Sequence, residues 1–307
     1  MRRMSAVVLA FALLLSVLPS ALAQDATPAT GSPTASPSLL AGLGYPELVI
    51  TTDGTTSDAP ADLPAGRYHL VLVNTSDVLT VDLELYKVPD GMTFDELNAE
   101  FQASDPESFE PPPIFYEVTI GGGPSAGPGS TGDIIVDFSP GDWAFNVFAY
   151  NDESEEEPPS NMPTQVTVTG ELPELTDPAV DVAVNMIEMA FEMPEVVPAG
   201  PAIWQVTNSG AFPHFLLIES YPEPVTNEQV EAALAMFLGT PVATPAAMLD
   251  PEQLVDVDGT LVLSTGQTNW IEVDLAPGQY IVFCFISGPG DVPIHAAMGM
   301  YKILTVE

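Results

Sequence analysis

Basic residues are scarce in this sequence, which has five Lys plus Arg against 43 Asp plus Glu and a formal net charge of −38 at pH 7. Nucleic acids and anionic membrane surfaces attract proteins through clustered Lys and Arg, so both are poor partners for a chain of this composition. A cation or a basic protein suits such an acidic chain better.

Histidine and cysteine are also scarce, at three and one among 307 residues. Three histidines exclude the many-histidine trinuclear cluster of a multicopper oxidase, and also a three-His catalytic zinc site beside any other metal site. The single cysteine, Cys284, excludes a disulfide within the chain. It leaves three alternatives, which are a buried inert thiol, a bridge to another molecule and a metal thiolate.

Long apolar runs are confined to the N-terminus. Arg2 and Arg3 precede an apolar run at 6–18, and Ala21-Leu22-Ala23 has the small residues of a cleavage site, so residues 1–23 are predicted to be a signal peptide. Residues 24–38 are rich in Pro, Thr and Ser, which is typical of a disordered tether. No later run reaches the roughly 18 apolar residues that span a bilayer. We expect an exported protein that is secreted, periplasmic or held at the cell surface, without a membrane span.

The rest of the chain consists of short apolar and aromatic runs separated by turn residues, a pattern typical of an all-β sandwich. With 46% apolar residues the chain has ample material for a core, and its length suits two domains. The predicted strands cover residues 47–51, 68–74, 134–138, 143–150, 203–208, 215–220, 270–275, 279–286 and 301–306.

Two stretches of the chain recur in the same order. Leu63-Pro-Ala-Gly66 matches Val197-Pro-Ala-Gly200, and the later segment 134–143 matches 271–280, each with an Asp followed three residues on by Pro-Gly. Matching order at a nearly constant offset indicates an internal duplication. The sequence therefore predicts two homologous sandwiches, at 39–171 and 178–307.

Each copy has an insertion that begins like a helix, at Thr93 in the first copy and at Thr226 in the second. In the second insertion Val230, Ala233, Leu234 and Phe237 occupy positions i, i+3, i+4 and i+7. We expect a short surface helix whose apolar stripe faces its own sandwich, rather than a helix that binds a partner.

The second copy contains four soft or borderline metal donors. His214 ends the segment Asn208-Ser-Gly-Ala-Phe-Pro-His214, Cys284 ends a predicted strand, and His295-Ala-Ala-Met-Gly-Met300 leads into the last strand. Two imidazoles, a thiolate and a thioether are the donors of a trigonal copper site with a weak axial methionine. The alternative is that these side chains are ordinary core residues, with the thiol buried and inert.

These four residues resemble the ligands of the cupredoxin, or type 1 blue copper, family. The segment that ends at His214 is similar to the plastocyanin segment that carries the first histidine ligand, and His295 and Met300 have the His-x4-Met spacing of plastocyanin and the copper nitrite reductases. The resemblance implies two tandem cupredoxin-like Greek-key β-sandwiches, with one type 1 copper held by His214, Cys284, His295 and Met300. The first copy, with Thr80 or a neighbour and Val147 at ligand positions, is expected to hold no metal.

The sequence departs from the family pattern at two places. Ten residues separate Cys284 from His295, which is a longer loop than in the well-known members. In addition, Phe215 follows His214 where the family usually has a polar residue that ties the ligand loops together.

The resemblance implies one-electron transfer, with no small-molecule substrate and no catalytic residues. It also implies that His295 is the exposed edge through which electrons pass, among small apolar residues, and the negative charge favours a basic redox partner. Two alternatives remain, namely an extracytoplasmic copper-binding or delivery protein without redox turnover, and a metal-free β-sandwich module of the cell surface. A visible thiolate-to-copper charge-transfer band would distinguish the electron-transfer protein from both alternatives.

Overall fold

The structure is a computed structural model that describes residues 38–103, 111–151, 162–239, 249–290 and 292–307. The predicted signal peptide and all but the last residue of the predicted tether lie outside these ranges. Within them, no helix is both long enough and apolar enough to cross a membrane.

Strands dominate both halves of the described chain, which confirms the all-β fold class. The N-terminal half contains β1 Glu47–Thr52, β2 Asp62–Pro64, β3 Gly66–Asn74, β4 Thr80–Lys87, α1 Phe94–Gln102, β5 Thr119–Ile120, β6 Ser125–Ala126, β7 Thr131–Phe138, β8 Gly141–Tyr150 and β9 Thr164–Thr169. The C-terminal half contains β10 Val182–Ile187, β11 Ala190–Glu192, β12 Val196–Val197, β13 Gly200–Asn208, β14 Leu217–Ser220, α2 Asn227–Phe237, β15 Val255–Gly259, β16 Thr268–Leu275, β17 Gly278–Phe283 and β18 Tyr301–Val306.

The two halves have the same strand order. In the N-terminal half β1-β3-β7 packs against β2-β9-β8-β4-β5, and in the C-terminal half β10-β13-β16 packs against β12-β18-β17-β14-β15. The pairs β1/β3 and β10/β13 are both parallel, as are β2/β9 and β12/β18. Two tandem cupredoxin-like sandwiches are therefore present, each with one short helical insertion, as expected. Equal topology is what a duplication would produce, although the duplication itself stays a prediction.

One sheet runs through both sandwiches. Strands β7 and β16 pair antiparallel, with Val136 opposite Asn269 and Ile135 opposite Trp270, so that β1-β3-β7-β16-β13-β10-β11 form a single seven-stranded sheet. Leu40, from the N-terminal segment, is fully buried against Ile135 and Trp270 at this junction. Matching motifs show that two segments of the chain resemble each other, but they do not show whether the segments pair. The sequence therefore does not predict this shared sheet.

Both helices begin with a capping box. Thr226 accepts from the backbone of Gln229 while the Gln229 side chain accepts from Thr226, which stops the first turn of α2 from fraying. Val230 and Leu234 are buried against β17, as the apolar stripe predicts. Phe237 is 55% exposed, so its expected place in the core is wrong. Its neighbours Met236 and Leu238 are also exposed, so the last turn of α2 does not pack into the core.

Candidate metal centre

The predicted ligands lie at the ends of strands in the C-terminal half. His214 is in the β13–β14 connection, Cys284 follows β17, His295 begins a 3-10 turn at His295–Met298, and Met300 precedes β18. All four side chains are fully buried. Met298 is 44% exposed, which agrees with Met300 being the better candidate for a buried ligand.

Three of these side chains form a compact His-Cys-His cluster, defined by His214, Cys284 and His295. The two Nδ1 atoms are 3.0 Å apart, and Cys284 Sγ lies 3.8 Å from His214 Nδ1 and 3.6 Å from His295 Nδ1. A point equidistant from the three atoms is about 2.0 Å from each, close to the ~2.0–2.3 Å of metal–nitrogen and metal–sulfur bonds. Among the described residues, this is the one group of three or more His, Cys, Asp or Glu with such geometry.

Backbone hydrogen bonds hold the His214 loop. His214 exchanges two bonds with Leu263, of 3.0 and 2.7 Å, in the manner of a short β-bridge. The buried Asn208 side chain donates to the carbonyls of Phe212 and Leu263, at 2.8 and 2.7 Å. These contacts fix the direction in which the His214 ring enters the cluster.

The long loop after Cys284 folds back on itself, which brings Cys284 and His295 to one place. His295 N donates to Ile286 O at 2.8 Å, and Ala296 N donates to Cys284 O at 2.7 Å. Met300 N donates to His295 O at 2.9 Å, while Met300 O accepts from Cys284 N at 3.2 Å. The main chain of Met300 is therefore bonded to both Cys284 and His295, and ten intervening residues do not separate these two candidate ligands in space.

Burial keeps the cluster uncharged in the absence of metal. Burial lowers the pKa of His214 to about 4, with a further contribution from His295, and burial also lowers the pKa of His295 to about 4. Burial raises the pKa of the Cys284 thiol to about 12, although the N–H groups of Phe215 and Ile286 bond to it and oppose the shift. Neutral imidazoles can bind a metal directly, and the thiol would release its proton to solvent as its sulfur binds one.

The Phe215 N–H does part of what the family's polar residue does. It ties the His214 loop to the sulfur of Cys284 through the main chain, so the Phe215 side chain does not leave the loops unconnected. The identity of a side chain in the sequence gives no sign of such a bond, because every non-proline residue carries the same backbone donor.

The expectation that His295 forms an exposed edge is wrong. Its ring is fully buried, with the Phe212 ring 6.3 Å away between centroids, and the His214 ring packs edge-on at 4.7 Å. In both imidazoles Nε2 is buried and has no hydrogen-bond partner among the described residues, so the nitrogens that converge are the Nδ1 atoms. The exposed apolar residues of this loop are Val292 and Met298 instead.

The N-terminal half supports the cluster, whose three residues all belong to the C-terminal half. Ser264 N donates to Ile120 O at 2.9 Å, and Ser264 Oγ accepts from Ile120 N at 2.9 Å and donates to Val118 O at 3.0 Å. Its neighbour Leu263 is the residue that pairs with His214. Tyr116 also reaches across, donating to Ser287 O at 2.8 Å in the loop after Cys284. Each of these hydrogen bonds joins residues that are more than 140 positions apart in the sequence, so no local sequence pattern predicts them.

Replacing Ser264 by alanine is expected to lower the free energy of unfolding by about 1–3 kcal/mol, because a buried N–H and a buried carbonyl lose their partner. Chemical denaturation checks this. Ser130→Ala is the matched control, since Ser130 is exposed and, among the described residues, its hydroxyl donates to Gly127 O within its own turn. Equal destabilisation by the two variants would contradict the supporting role of Ser264.

The third histidine lies apart from the cluster. His69 is in β3 and is 5% exposed, with Nε2 2.6 Å from Asp133 Oδ2. Thr80 and Val147 lie in β4 and β8. The strand order of the two sandwiches and the His-Cys-His cluster together confirm the resemblance to cupredoxins.

Comparison with known proteins finds no matching family model and no matching curated protein. Similar solved structures include reduced auracyanin from the photosynthetic bacterium Roseiflexus castenholzii, with 25% identity over 41% of this chain and 94% of that chain and a TM-score of 0.26. Auracyanin A from Chloroflexus aurantiacus, a "blue" copper protein, has 18% identity over 41% and 99% of the chains, with a TM-score of 0.25. A multicopper oxidase has 11% identity over 85% and 88%, with a TM-score of 0.24. These scores are low, so the geometry of the cluster carries the functional argument.

Proposed function

We propose that this chain is an exported electron carrier that holds one type 1 copper ion in its C-terminal half. His214, Cys284 and His295 would bind the ion, with Met300 as a weak fourth ligand. The observation that carries the proposal is the triangle of two imidazole nitrogens and one thiol sulfur, with sides of 3.0, 3.6 and 3.8 Å, in a fully buried site.

The donor set favours copper over other metals. Thiolate and thioether sulfurs are soft ligands, and together with imidazole they select copper, whereas carboxylate and carbonyl oxygens, which suit magnesium or calcium, are absent from the cluster of three. Bound copper would supply a change of one electron between two oxidation states. The chain supplies a fully buried site, and main-chain hydrogen bonds join the segments of Cys284, His295 and Met300, so that little rearrangement would accompany the change.

The partner we propose is a basic redox protein. With a formal net charge of −38, the chain would attract a positively charged partner over a distance of about a Debye length, ~8 Å at physiological salt. Association should therefore slow as salt is added. Electron exchange requires only a transient contact and no substrate pocket. Export rests on the predicted signal peptide.

The test is to titrate the full chain with Cu(II) and to record visible and electron paramagnetic resonance spectra. We expect an intense charge-transfer band and a narrow copper hyperfine splitting, both lost in Cys284→Ser, because the band requires a thiolate bound to the metal. His214→Gln should lose the same signals. His69→Gln is the matched control, since it removes a histidine that lies outside the cluster, and it should keep them.

Each result decides between the readings. A band together with reversible one-electron oxidation and reduction supports electron transfer. Tight copper binding without a Cys284-dependent band would contradict electron transfer and would favour a protein that holds or delivers copper. A protein that binds no copper would overturn the proposal and leave a metal-free sandwich.

A further inference from the structure

The turn between β10 and β11 lies against both ligand loops. Ile187 pairs with Ala190, so Glu188 and Met189 form the tip of this hairpin. Met189 has a φ of 58°, and it is the one non-glycine residue with positive φ in the described ranges. A left-handed residue other than glycine costs roughly 1–2 kcal/mol, and such strain persists where the surroundings hold it.

On one side the turn binds the loop that leads to His214. Glu188 Oε1 accepts hydrogen bonds from the amides of Ala211 and Phe212, the second at 3.2 Å. Just before the turn, Met186 O accepts from the amides of Ser209 and Gly210, at 3.0 and 3.1 Å. Four consecutive amides of the His214 loop are therefore bonded to this end of the hairpin.

Gly210 lets the Glu188 carboxylate approach the imidazole closely. A Cβ at Gly210 would stand 2.7 Å from Glu188 Oε1 and 3.0 Å from His214 Nε2, which no side chain tolerates without a shift. The carboxylate of Glu188, the ring of His214 and the amide oxygen of Asn208, which would be 3.2 Å from that Cβ, thus all face the bare Cα of Gly210. Glycine is the residue that permits such a close approach.

On its other side the turn lies beside the loop that carries His295 and Met300. Gly299 stands between those residues with a φ of 110°, and a Cβ there would contact Met189 O at 3.7 Å. One hairpin tip therefore contacts both segments that bring histidines to the cluster.

We infer that Glu188 is a positioning residue of the metal centre, which fixes the His214 loop and whose negative charge favours the more oxidised state of the bound metal. The inference rests on the proposed function. Glu188 is itself exposed, so water and salt screen part of its charge. Its Oε1 nonetheless lies against the same Gly210 Cα as His214 Nε2, so part of its field reaches the centre through protein rather than through water.

The test is redox titration of the copper-loaded full chain with Glu188→Gln. Glutamine keeps an oxygen that can accept from Ala211 and Phe212 but removes the charge, so we expect the charge-transfer band to remain and the reduction potential to shift upward. Glu192→Gln is the matched control, because Glu192 is an exposed residue in β11 of the same hairpin and the charge change is identical. Its shift should be clearly smaller. Equal shifts, or none in Glu188→Gln, would overturn the inference.

A second readout needs no metal. In the metal-free protein, Glu188→Ala removes the acceptor of two amides, so hydrogen exchange at Ala211 and Phe212 should speed up by about tenfold or more, while Glu188→Gln should change it much less. Unchanged exchange in Glu188→Ala would refute the positioning role. Absence of a charge-transfer band in the unmodified protein would instead refute the proposed function, so the two failures are distinguishable.

Discussion

Replacing Arg67 by alanine is expected to lower the free energy of unfolding by about 3 kcal/mol, because Arg67 joins the two halves at the shared sheet. Its guanidinium binds Asp137 at 2.7 and 2.8 Å, and Asp177 at 2.9 Å. It also lies 4.0 Å from the centroid of the Trp270 ring, which belongs to the other half. Removing one member of a buried ion pair costs about 3–5 kcal/mol, and the partial exposure of Asp137 reduces that figure while the lost cation–π contact adds to it. Urea denaturation measures the change.

The control for Arg67 uses another of the few basic residues. Lys87→Ala makes the same change in net charge, but Lys87 Nζ bonds only to the Ser139 hydroxyl among the contacts described, at 2.9 Å, so the loss should be well under half as large. Arg67→Lys should fall between the two, since an ammonium keeps the charge but cannot bind Asp137 with two parallel bonds. If Arg67→Ala and Lys87→Ala destabilise equally, general charge repulsion and not the junction explains the effect.

Elements whose signal is local could be predicted from the sequence. The strand that ends at Asn208, the helix that starts after Thr226 and the last strand from Tyr301 all lie where alternation, capping residues and turn residues place them. The cluster was also predictable, since the only cysteine and two of three histidines stand at strand ends in a known order.

Contacts between distant segments could not be predicted in this way. The pairing of β7 with β16 and the bonds of Ser264 to Val118 and Ile120 depend on how the two halves dock, which leaves no periodic pattern in either segment. The burial of His295 depends on neighbours such as Phe212, 83 residues earlier in the chain. The sequence does not distinguish Glu188 from the other acidic residues, which number 43 in all. Its place beside Gly210 and the His214 loop is visible only in the structure.

A buried carboxyl in the N-terminal half leads to an expected dependence of stability on pH. Glu84 lies in β4 and is 2% exposed, and it accepts a hydrogen bond from the buried Tyr86 hydroxyl. Burial raises the pKa of Glu84 to about 8; the Tyr86 hydrogen bond opposes the rise and the nearby Asp82 adds to it. In the C-terminal half, burial and then Asp256 raise the pKa of Glu219 to about 8.

The free energy of unfolding of the metal-free protein should fall as the pH rises from 6.5 to 8. In this window folded chains hold protons on Glu84 and Glu219 that unfolded chains have released, because the folded pKa values lie above the ordinary 4.5, so stability is lost as pH increases. Each carboxyl contributes about 1.4 kcal/mol per pH unit, or about 2 kcal/mol over the window. Below pH 6.5 the two cluster histidines act in the opposite direction, because their folded pKa values are lowered to about 4.

The Glu84→Gln variant isolates the contribution of one carboxyl. Glutamine resembles the protonated acid and cannot ionise, so the stability of the variant relative to the unmodified protein should rise by about 2 kcal/mol between pH 6.5 and 8. Glu117→Gln, at an exposed position, changes the net charge equally and should show a flat difference. Urea denaturation at several pH values, with a chelator present to keep the protein metal-free, gives the three curves. Parallel curves for Glu84→Gln and the unmodified protein would mean that Glu84 is ionised in the fold, and that the −38 charge on the chain includes one carboxylate buried inside its N-terminal half.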